Sequence, residues 1–242
     1  MANRDDGGRM TVVEHLSELR RRIIICMIAI TLAAIVVYIF SLDIIRFLIE
    51  YYEDATDGQQ DALIFTGPLD AFATRLKVAT YGGFALALPV WLFQMWRFVT
   101  PGLQPKEKRY AIPFVLTSVV LFAVGGLVAM LTLPKALDFL LNIGGSELEP
   151  LLTADRYLSL VSLMIIAFGI AFEFPVVLTF LLLARVISVA QLRRWRRAAI
   201  VFITIFAAVI TPSQDPYSLL LMMVPMYLFY EACIIIGRIL KR

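Results

Sequence analysis

The sequence has very little of the residue types that build metal sites and nucleophilic catalytic sites. Its single histidine, His15, excludes His-rich metal sites and most histidine-based triads. Its two cysteines, Cys26 and Cys233, lie far apart in apolar runs and give neither a disulfide framework nor a ligand cluster. No glycine-rich phosphate loop follows a strand pattern. We therefore expect a protein that is not an enzyme and that holds no metal or cofactor.

Charged residues are also scarce, and this scarcity indicates a membrane protein. Only 17% of the 242 residues are charged, whereas 60% are hydrophobic, and the mean hydropathy is +0.83. A soluble domain is about half apolar and about a quarter charged. Too little polar surface remains to cover a water-soluble globule, so the sequence predicts an integral membrane protein.

Six apolar runs are candidate membrane-spanning helices, because about 20 apolar residues cross a hydrocarbon core of about 30 Å. They cover residues 23–42, 78–98, 110–133, 157–184, 198–210 and 217–236. We expect one all-α, polytopic membrane domain over residues 1–242. The fifth run has 13 residues, and Glu231 interrupts the sixth, so both helices are expected to be short.

The basic residues are divided unequally between the two sides of this arrangement. The N-terminal tail, the second-to-third loop, the fourth-to-fifth loop and the C-terminal tail hold 17 of the 22 lysines and arginines. The positive-inside rule therefore places both termini in the cytoplasm, which agrees with an even number of spans. The acidic residues are distributed the other way, with 12 of 19 on the outer side.

The segment before the first run has the pattern of a short helix at the cytoplasmic interface. Thr11 and Glu14 form a capping box, which predicts a helix over residues 11–22. Glu14 and Glu18 fall on its polar face, and Arg22 follows Glu18 by four residues. An ordinary solvated face with one ion pair explains this spacing, and so does a binding site for a cation.

The distribution of charge adds weight to the second interpretation. Beyond the first ten residues, Glu14, Glu18 and Glu107 are the only acids on the basic side. Carboxylates placed there are able to receive the planar fork of an arginine through charge-assisted hydrogen bonds. Glu107 lies among three cations in the run QPKEKR, so local neutralisation explains it equally well. Spacing leaves both interpretations open.

Two further acids lie in or beside the apolar runs. Glu173 is near the middle of the fourth run, where a carboxylate costs several kcal/mol unless it faces the bundle interior or a wet cavity. It is either a neutral carboxyl bonded to a neighbouring helix or a functional acid, and Pro175 predicts a kink beside it. Asp215 lies in the tight turn TPSQDP and is interpreted as a turn and cap residue.

The order of these features resembles the TatC family, the multi-spanning receptor subunit of the twin-arginine protein translocase. Five fragments carry the resemblance over nearly the whole chain. They are HLSELRRR at residues 15–22, PV at 89–90 with FQMWRF at 93–98 and PGL through EKR at 101–109, AFGIAFEFP at 167–175, TP at 211–212 with Asp215, and PMY at 225–227 with Glu231.

The resemblance implies a concave, glove-like bundle of six helices that recognises signal peptides with paired arginines. Glu18 and Glu107 match the carboxylates that contact the arginine motif, and Arg20, Arg22 and Phe98 match their neighbours.

Outside that site, Glu173 matches the buried acid that faces the concavity, and Asp215 matches the functional acid of the last outer loop. Leu219 departs from the family pattern, which commonly has a glutamine there. This residue lacks the polar group that a docking contact with TatA or TatB would use.

The resemblance further implies the partners and the location. These are single-span proteins of the TatA and TatB type, folded cargo with twin-arginine signal peptides, the lipid bilayer and further copies of the chain, with no nucleic acid. Export would use the proton-motive force across the inner membrane of a prokaryote. From the residues alone, a proton-coupled small-solute transporter with Glu173 as relay is the alternative, and a passive membrane scaffold is a third function.

Overall fold

The computed structural model describes residues 12–55, 63–99, 111–145 and 152–239, which are helical apart from short connections and one isolated bridge between Ile64 and Thr153. The described residues form ten helices. They are α1 (Val12–Ile39), α2 (Ser41–Ala55), α3 (Asp70–Leu86), α4 (Leu88–Val99), α5 (Ala111–Asn142), α6 (Ala154–Phe172), α7 (Phe174–Leu183), α8 (Val189–Arg194), α9 (Arg196–Ile210) and α10 (Pro216–Ile239).

Several of these helices have the length and apolarity of membrane spans. Helices α1, α5 and α10 qualify individually, and α6 with α7 forms a fourth candidate span. Helices α3 and α4 together form a fifth candidate, bent by 50°. Helix α9 has 15 residues, a length of about 22 Å. The chain is therefore an all-helical membrane protein with four or five candidate spans among its described residues.

The expected interfacial helix over residues 11–22 is not separate from the first span. Helix α1 runs without interruption from Val12 to Ile39. No glycine or proline occurs in this stretch, so nothing in its sequence breaks the hydrogen-bond ladder where the polar part meets the apolar part.

The expectation of a short sixth helix is wrong, whereas the fifth is short as expected. Helix α10 continues past Glu231 to Ile239 and has 24 residues. Glu231 does not end the helix because its charge is compensated. Nη2 of Arg196 lies 2.6 Å from Oε2 of Glu231, and the Tyr227 hydroxyl donates to Oε1 at 3.3 Å.

Two of the apolar runs are broken, and each break lies two residues before a proline. Ala87 separates α3 from α4 ahead of Pro89, and Glu173 separates α6 from α7 ahead of Pro175. Proline lacks the N–H that would continue the ladder across the break. A break in the helix is therefore present where Pro175 predicts a kink, although α6 and α7 together still form one candidate span. At the other break, the indole Nε1 of Trp91 donates to the Phe84 carbonyl at 3.2 Å.

Helix α6 is the centre of the packing. Its residues Tyr157, Leu158 and Phe168 are wholly buried. Helix α5 approaches it closely, because a Cβ added at Gly125 would lie 2.6 Å from the Phe168 carbonyl oxygen. Small residues allow such crossings in membranes, where backbone proximity and dispersion replace the hydrophobic effect. The α5–α6 pair is thus the fixed part against which the other helices are placed.

Candidate functional site

Helices α1 and α4 meet where α1 begins and α4 ends. The His15 ring stacks on the Phe98 ring with centroids 4.3 Å apart and planes 19° from parallel. One turn before Phe98 on α4, Oε1 of Gln94 accepts a hydrogen bond from Nη1 of Arg22 at 3.2 Å. We call the five residues His15, Glu18, Arg22, Gln94 and Phe98 the recognition surface.

Glu18 is the carboxylate of the recognition surface. Its Oε1 accepts from Nε of Arg22 at 3.0 Å and also from Nη2 of the same guanidinium. Its Oε2 is buried and has no hydrogen-bond partner among the residues that the structure describes. The Glu18 side chain is 20% exposed and that of Arg22 13%. The carboxylate therefore has one oxygen engaged and one oxygen that lacks a donor, which is costly in a partly buried site.

The structure brings to the α1–α4 junction three of the five residues that the resemblance assigns to signal-peptide binding, namely Glu18, Arg22 and Phe98. Arg20 lies on the same helix with an exposed side chain. Glu107 lies outside the described residues.

Sequence reasoning did not identify Gln94 as part of this surface, nor His15 beyond its place in the motif. A single amide inside the apolar run of residues 78–98 is the signal that identifies Gln94 in retrospect, because polar groups in spans need partners.

A groove of about 510 Å³ opens between α4, α5, α7 and α9. Its walls are mostly apolar and aromatic. They include Trp91 and Met95 of α4, Phe180 of α7 and Phe206 of α9. Trp96 stacks on Phe114 at 4.7 Å and meets Phe180 edge-on at 5.1 Å, so an aromatic cluster forms one wall. The groove suits an apolar helix or an acyl chain.

Glu173 lines this groove at the break between α6 and α7, with 8% of the residue exposed. The Ser118 hydroxyl is the polar group that faces its carboxyl. Its Oε1 is buried and has no hydrogen-bond partner in the described part of the chain. Glu173 is the only titratable side chain among the described residues that line the groove. A proton relay along this groove would therefore contain one titratable group of the described residues, which is Glu173.

Asp215 is 1% exposed and has both carboxylate oxygens engaged within its own turn. The Ser213 hydroxyl donates to Oδ2 at 2.5 Å, and the Ser218 backbone N–H donates to Oδ1 at 2.8 Å. This geometry is that of an N-cap of α10 with Pro216 at the first helical position. The interpretation of Asp215 as a turn and cap residue is confirmed.

No three histidine, cysteine, aspartate or glutamate side chains come close enough to hold a metal ion within residues 12–55, 63–99, 111–145 and 152–239.

The chain is similar to known proteins over most of its length. The family model described as Sec-independent protein translocase protein (TatC) matches residues 14–225. TatC of Frankia casuarinae is 43% identical, over 96% of this chain and 66% of that protein. TatC of Magnetococcus marinus is 39% identical, over 99% of this chain and 88% of that protein. A crystal structure of the twin-arginine translocase receptor TatC matches with a TM-score of 0.78 and 38% identity, over 95% of this chain and all of that chain.

The matched family region contains the recognition surface, Glu173 and Asp215, and the structural match extends over the described helices. The chain belongs to the TatC family of Sec-independent protein translocase proteins.

Proposed function

We propose that this protein is the receptor subunit of a twin-arginine translocase and that its recognition surface binds the paired arginines of signal peptides. One observation carries the proposal. Glu18 presents a buried carboxylate oxygen without a donor among the described residues, at the end of the molecule where most of the basic residues lie.

A guanidinium is well suited to supply the hydrogen-bond donor that Oε2 of Glu18 lacks in the described structure. An arginine supplies several N–H groups in a planar fork and keeps its charge at any physiological pH. A charge-assisted bond to the second oxygen of Glu18 would remove the penalty of its unsatisfied burial. Beside it, the stacked rings of His15 and Phe98 form a flat surface against which a second arginine or its apolar neighbours pack.

Glu107 is the second carboxylate of the proposed site. It follows Phe98 by nine residues, between the end of α4 at Val99 and the start of α5 at Ala111. Because Glu107 follows in sequence the helix that contributes Gln94 and Phe98, we propose it as the second carboxylate that the peptide contacts. Two carboxylates at one site match two arginines on one ligand.

The proposed arrangement has six spans, with both termini in the cytoplasm of a prokaryotic cell. The five candidate spans and the shorter α9 together account for the six apolar runs. Helix α9 would cross only a thinned bilayer or lie against partners that cover its ends. The excess of basic residues at the end where α1 begins supports the cytoplasmic placement.

The groove is the proposed place for the apolar part of a signal peptide. Its aromatic walls suit an apolar helix, and Glu173 with Ser118 offers polar contacts at mid-membrane depth. Small single-span proteins of the TatA and TatB type would assemble alongside, together with further copies of this chain, and export would use the proton-motive force. Leu219 packs half-buried against the core, so the start of α10 offers an apolar contact there.

The proposal is tested by the binding of a synthetic twin-arginine signal peptide to the purified protein in lipid nanodiscs. We expect Glu18→Ala combined with Glu107→Ala to weaken binding by at least about tenfold, because charged hydrogen bonds of about 1.5–3 kcal/mol are lost. The control for Glu18→Ala alone is Glu14→Ala, which removes one negative charge from an exposed position one turn away on α1. Equal affinities for the double variant and the wild type would refute the proposed site.

A further inference from the structure

An internal arginine already occupies the carboxylate that the proposed function assigns to ligand arginine. Arg22 directs Nε and Nη2 to the same oxygen of Glu18, leaving the other oxygen without a donor in the described structure. The contact joins residues four apart on one helix, so it forms with α1 itself and needs no ligand. The recognition carboxylate is therefore neutralised within the free protein.

Arg22 also has a second acceptor that does not depend on Glu18. Its Nη1 donates to Oε1 of Gln94, which is 72 residues away in sequence on α4. The three nitrogens of the guanidinium are thus shared between an acidic acceptor and a neutral one. If Glu18 is withdrawn, the Gln94 contact still holds the Arg22 side chain at the α1–α4 junction.

We propose that Arg22 is an internal competitor that sets the affinity of the recognition surface. In the free protein it engages Glu18. When a peptide guanidinium arrives, it first bonds to Oε2 of Glu18 and then takes the place of Arg22 on the carboxylate, while Gln94 retains the displaced side chain. This inference rests on the proposed function and adds a positioning and affinity-setting role that the carboxylates alone do not provide.

The physical basis of the competition is that the peptide and Arg22 offer the same chemical group to Glu18. A guanidinium replaces a guanidinium on one carboxylate, so the charge at Glu18 stays neutralised before and after binding. The ligand must compete with a neighbour that is permanently present at high effective concentration. Its apparent affinity is reduced by the fraction of molecules in which Arg22 occupies the site. A translocase receptor must release its cargo, and such an internal competitor keeps binding reversible.

The expected consequence of removing the competitor is tighter ligand binding. Arg22→Gln should lower the dissociation constant of the twin-arginine peptide by about fivefold, the occupancy penalty that a partly buried helical ion pair implies. Arg21→Gln is the matched control, since it removes the same charge from the adjacent, exposed position of α1. Arg22→Lys keeps the charge with a weaker fork, and we expect an intermediate gain.

A double-mutant cycle separates competition at Glu18 from a general change in charge. With Glu18→Gln already in place, Arg22→Gln should give no gain beyond that of Arg21→Gln, because the contested carboxylate is absent. Thermal unfolding of each variant in the same nanodiscs shows whether the variant is folded. If Arg22→Gln does not fold, Arg22→Lys takes its place in the binding measurements.

The outcomes distinguish the two proposals. Binding that Glu18→Gln leaves intact overturns the proposed site itself. Binding that Glu18→Gln weakens, but that neither Arg22→Gln nor Arg22→Lys improves relative to Arg21→Gln, overturns the competitor alone. Weaker binding in both Arg22 variants would show that Arg22 supports the peptide directly.

Discussion

Single carboxylates in this protein have different tasks because their two oxygens have different partners. Asp215 receives a hydroxyl on one oxygen and a backbone N–H on the other, so its hydrogen-bonding capacity is used inside its own turn. Glu18 and Glu173 each keep one buried oxygen without a donor in the described residues. We infer that Asp215 acts by shaping the turn before α10, whereas Glu18 and Glu173 are the acids with capacity left for a ligand.

Replacing the Asp215 side chain tests this distinction at the residue scale. We expect Asp215→Ala to lower the free energy of unfolding by about 1–2 kcal/mol, because an N-cap is lost and the buried Ser213 hydroxyl is left without its acceptor. Asp215→Asn keeps an oxygen for the Ser218 N–H and should cost much less. Unfolding in mixed micelles, followed by circular dichroism, measures both. An alanine variant as stable as the asparagine variant would contradict the capping role.

Helix α4 is the element that connects the two candidate binding regions. Trp91 and Met95, four residues apart, line the groove. Gln94 and Phe98, also four apart, contact α1 at the recognition surface. The four positions follow the i, i+3, i+4, i+7 spacing of a single helical stripe, so the groove and the recognition surface use adjoining parts of one face of α4. Any tilt of α4 about the break at Ala87 therefore changes the groove and the recognition surface together.

The indole of Trp91 is expected to stabilise this break. Trp91→Phe keeps the ring stacked against Phe84 but removes the donor to the Phe84 carbonyl, which should lower the free energy of unfolding by about 0.5–1.5 kcal/mol. Chemical unfolding in mixed micelles measures the change.

Trp96→Phe is the matched control for this prediction. The indole Nε1 of Trp96 is buried without a hydrogen-bond partner in the part of the chain that the structure describes. Trp96→Phe breaks no hydrogen bond of the described residues and removes an unsatisfied group, so any loss of stability there measures the packing that the smaller ring gives up. If both phenylalanine variants lose the same stability, ring size and not the hydrogen bond explains the effect.

At the scale of the whole molecule, polar contacts collect at two opposite ends of the candidate spans. One end joins α2, α3 and α6, where Arg75 donates to the Ser41 hydroxyl at 3.0 Å and Lys77 pairs with Asp155 at 2.7 Å. The other end joins α9 and α10 through Arg196 and Glu231, and α1 and α4 through the recognition surface. This separation leaves an apolar band between the ends, as a bilayer requires.

Thiol labelling tests the proposed orientation of these ends. We expect Leu69→Cys, at an exposed position before α3, to react with a membrane-impermeant maleimide in intact spheroplasts. Gln191→Cys, exposed on α8, should react only after the membrane is permeabilised. The wild type, whose Cys26 and Cys233 lie within spans, controls for background labelling. Labelling of Gln191→Cys from outside would exclude the six-span arrangement with cytoplasmic termini.

The sequence by itself determined the features that depend on local chemistry. Composition specified a membrane protein, apolar runs located the spans, Pro175 marked a break, and the turn before Pro216 placed Asp215 as a cap. The resemblance also named Glu18, Arg22 and Phe98, which lie together at the α1–α4 junction, while their role in binding stays a prediction. These inferences succeed because helix propensity, capping and hydrophobicity act over a few neighbouring residues.

Only the tertiary structure decided which distant groups meet. It joined Gln94 to Arg22 across 72 residues, and Glu231 to Arg196 across 35, which explains why α10 does not end at its acid. Such pairings depend on the depth and crossing of helices, which close contacts such as Gly125 against Phe168 fix in three dimensions. No local pattern in the sequence encodes these pairings, whereas the Glu18–Arg22 pair follows from its i,i+4 spacing on α1.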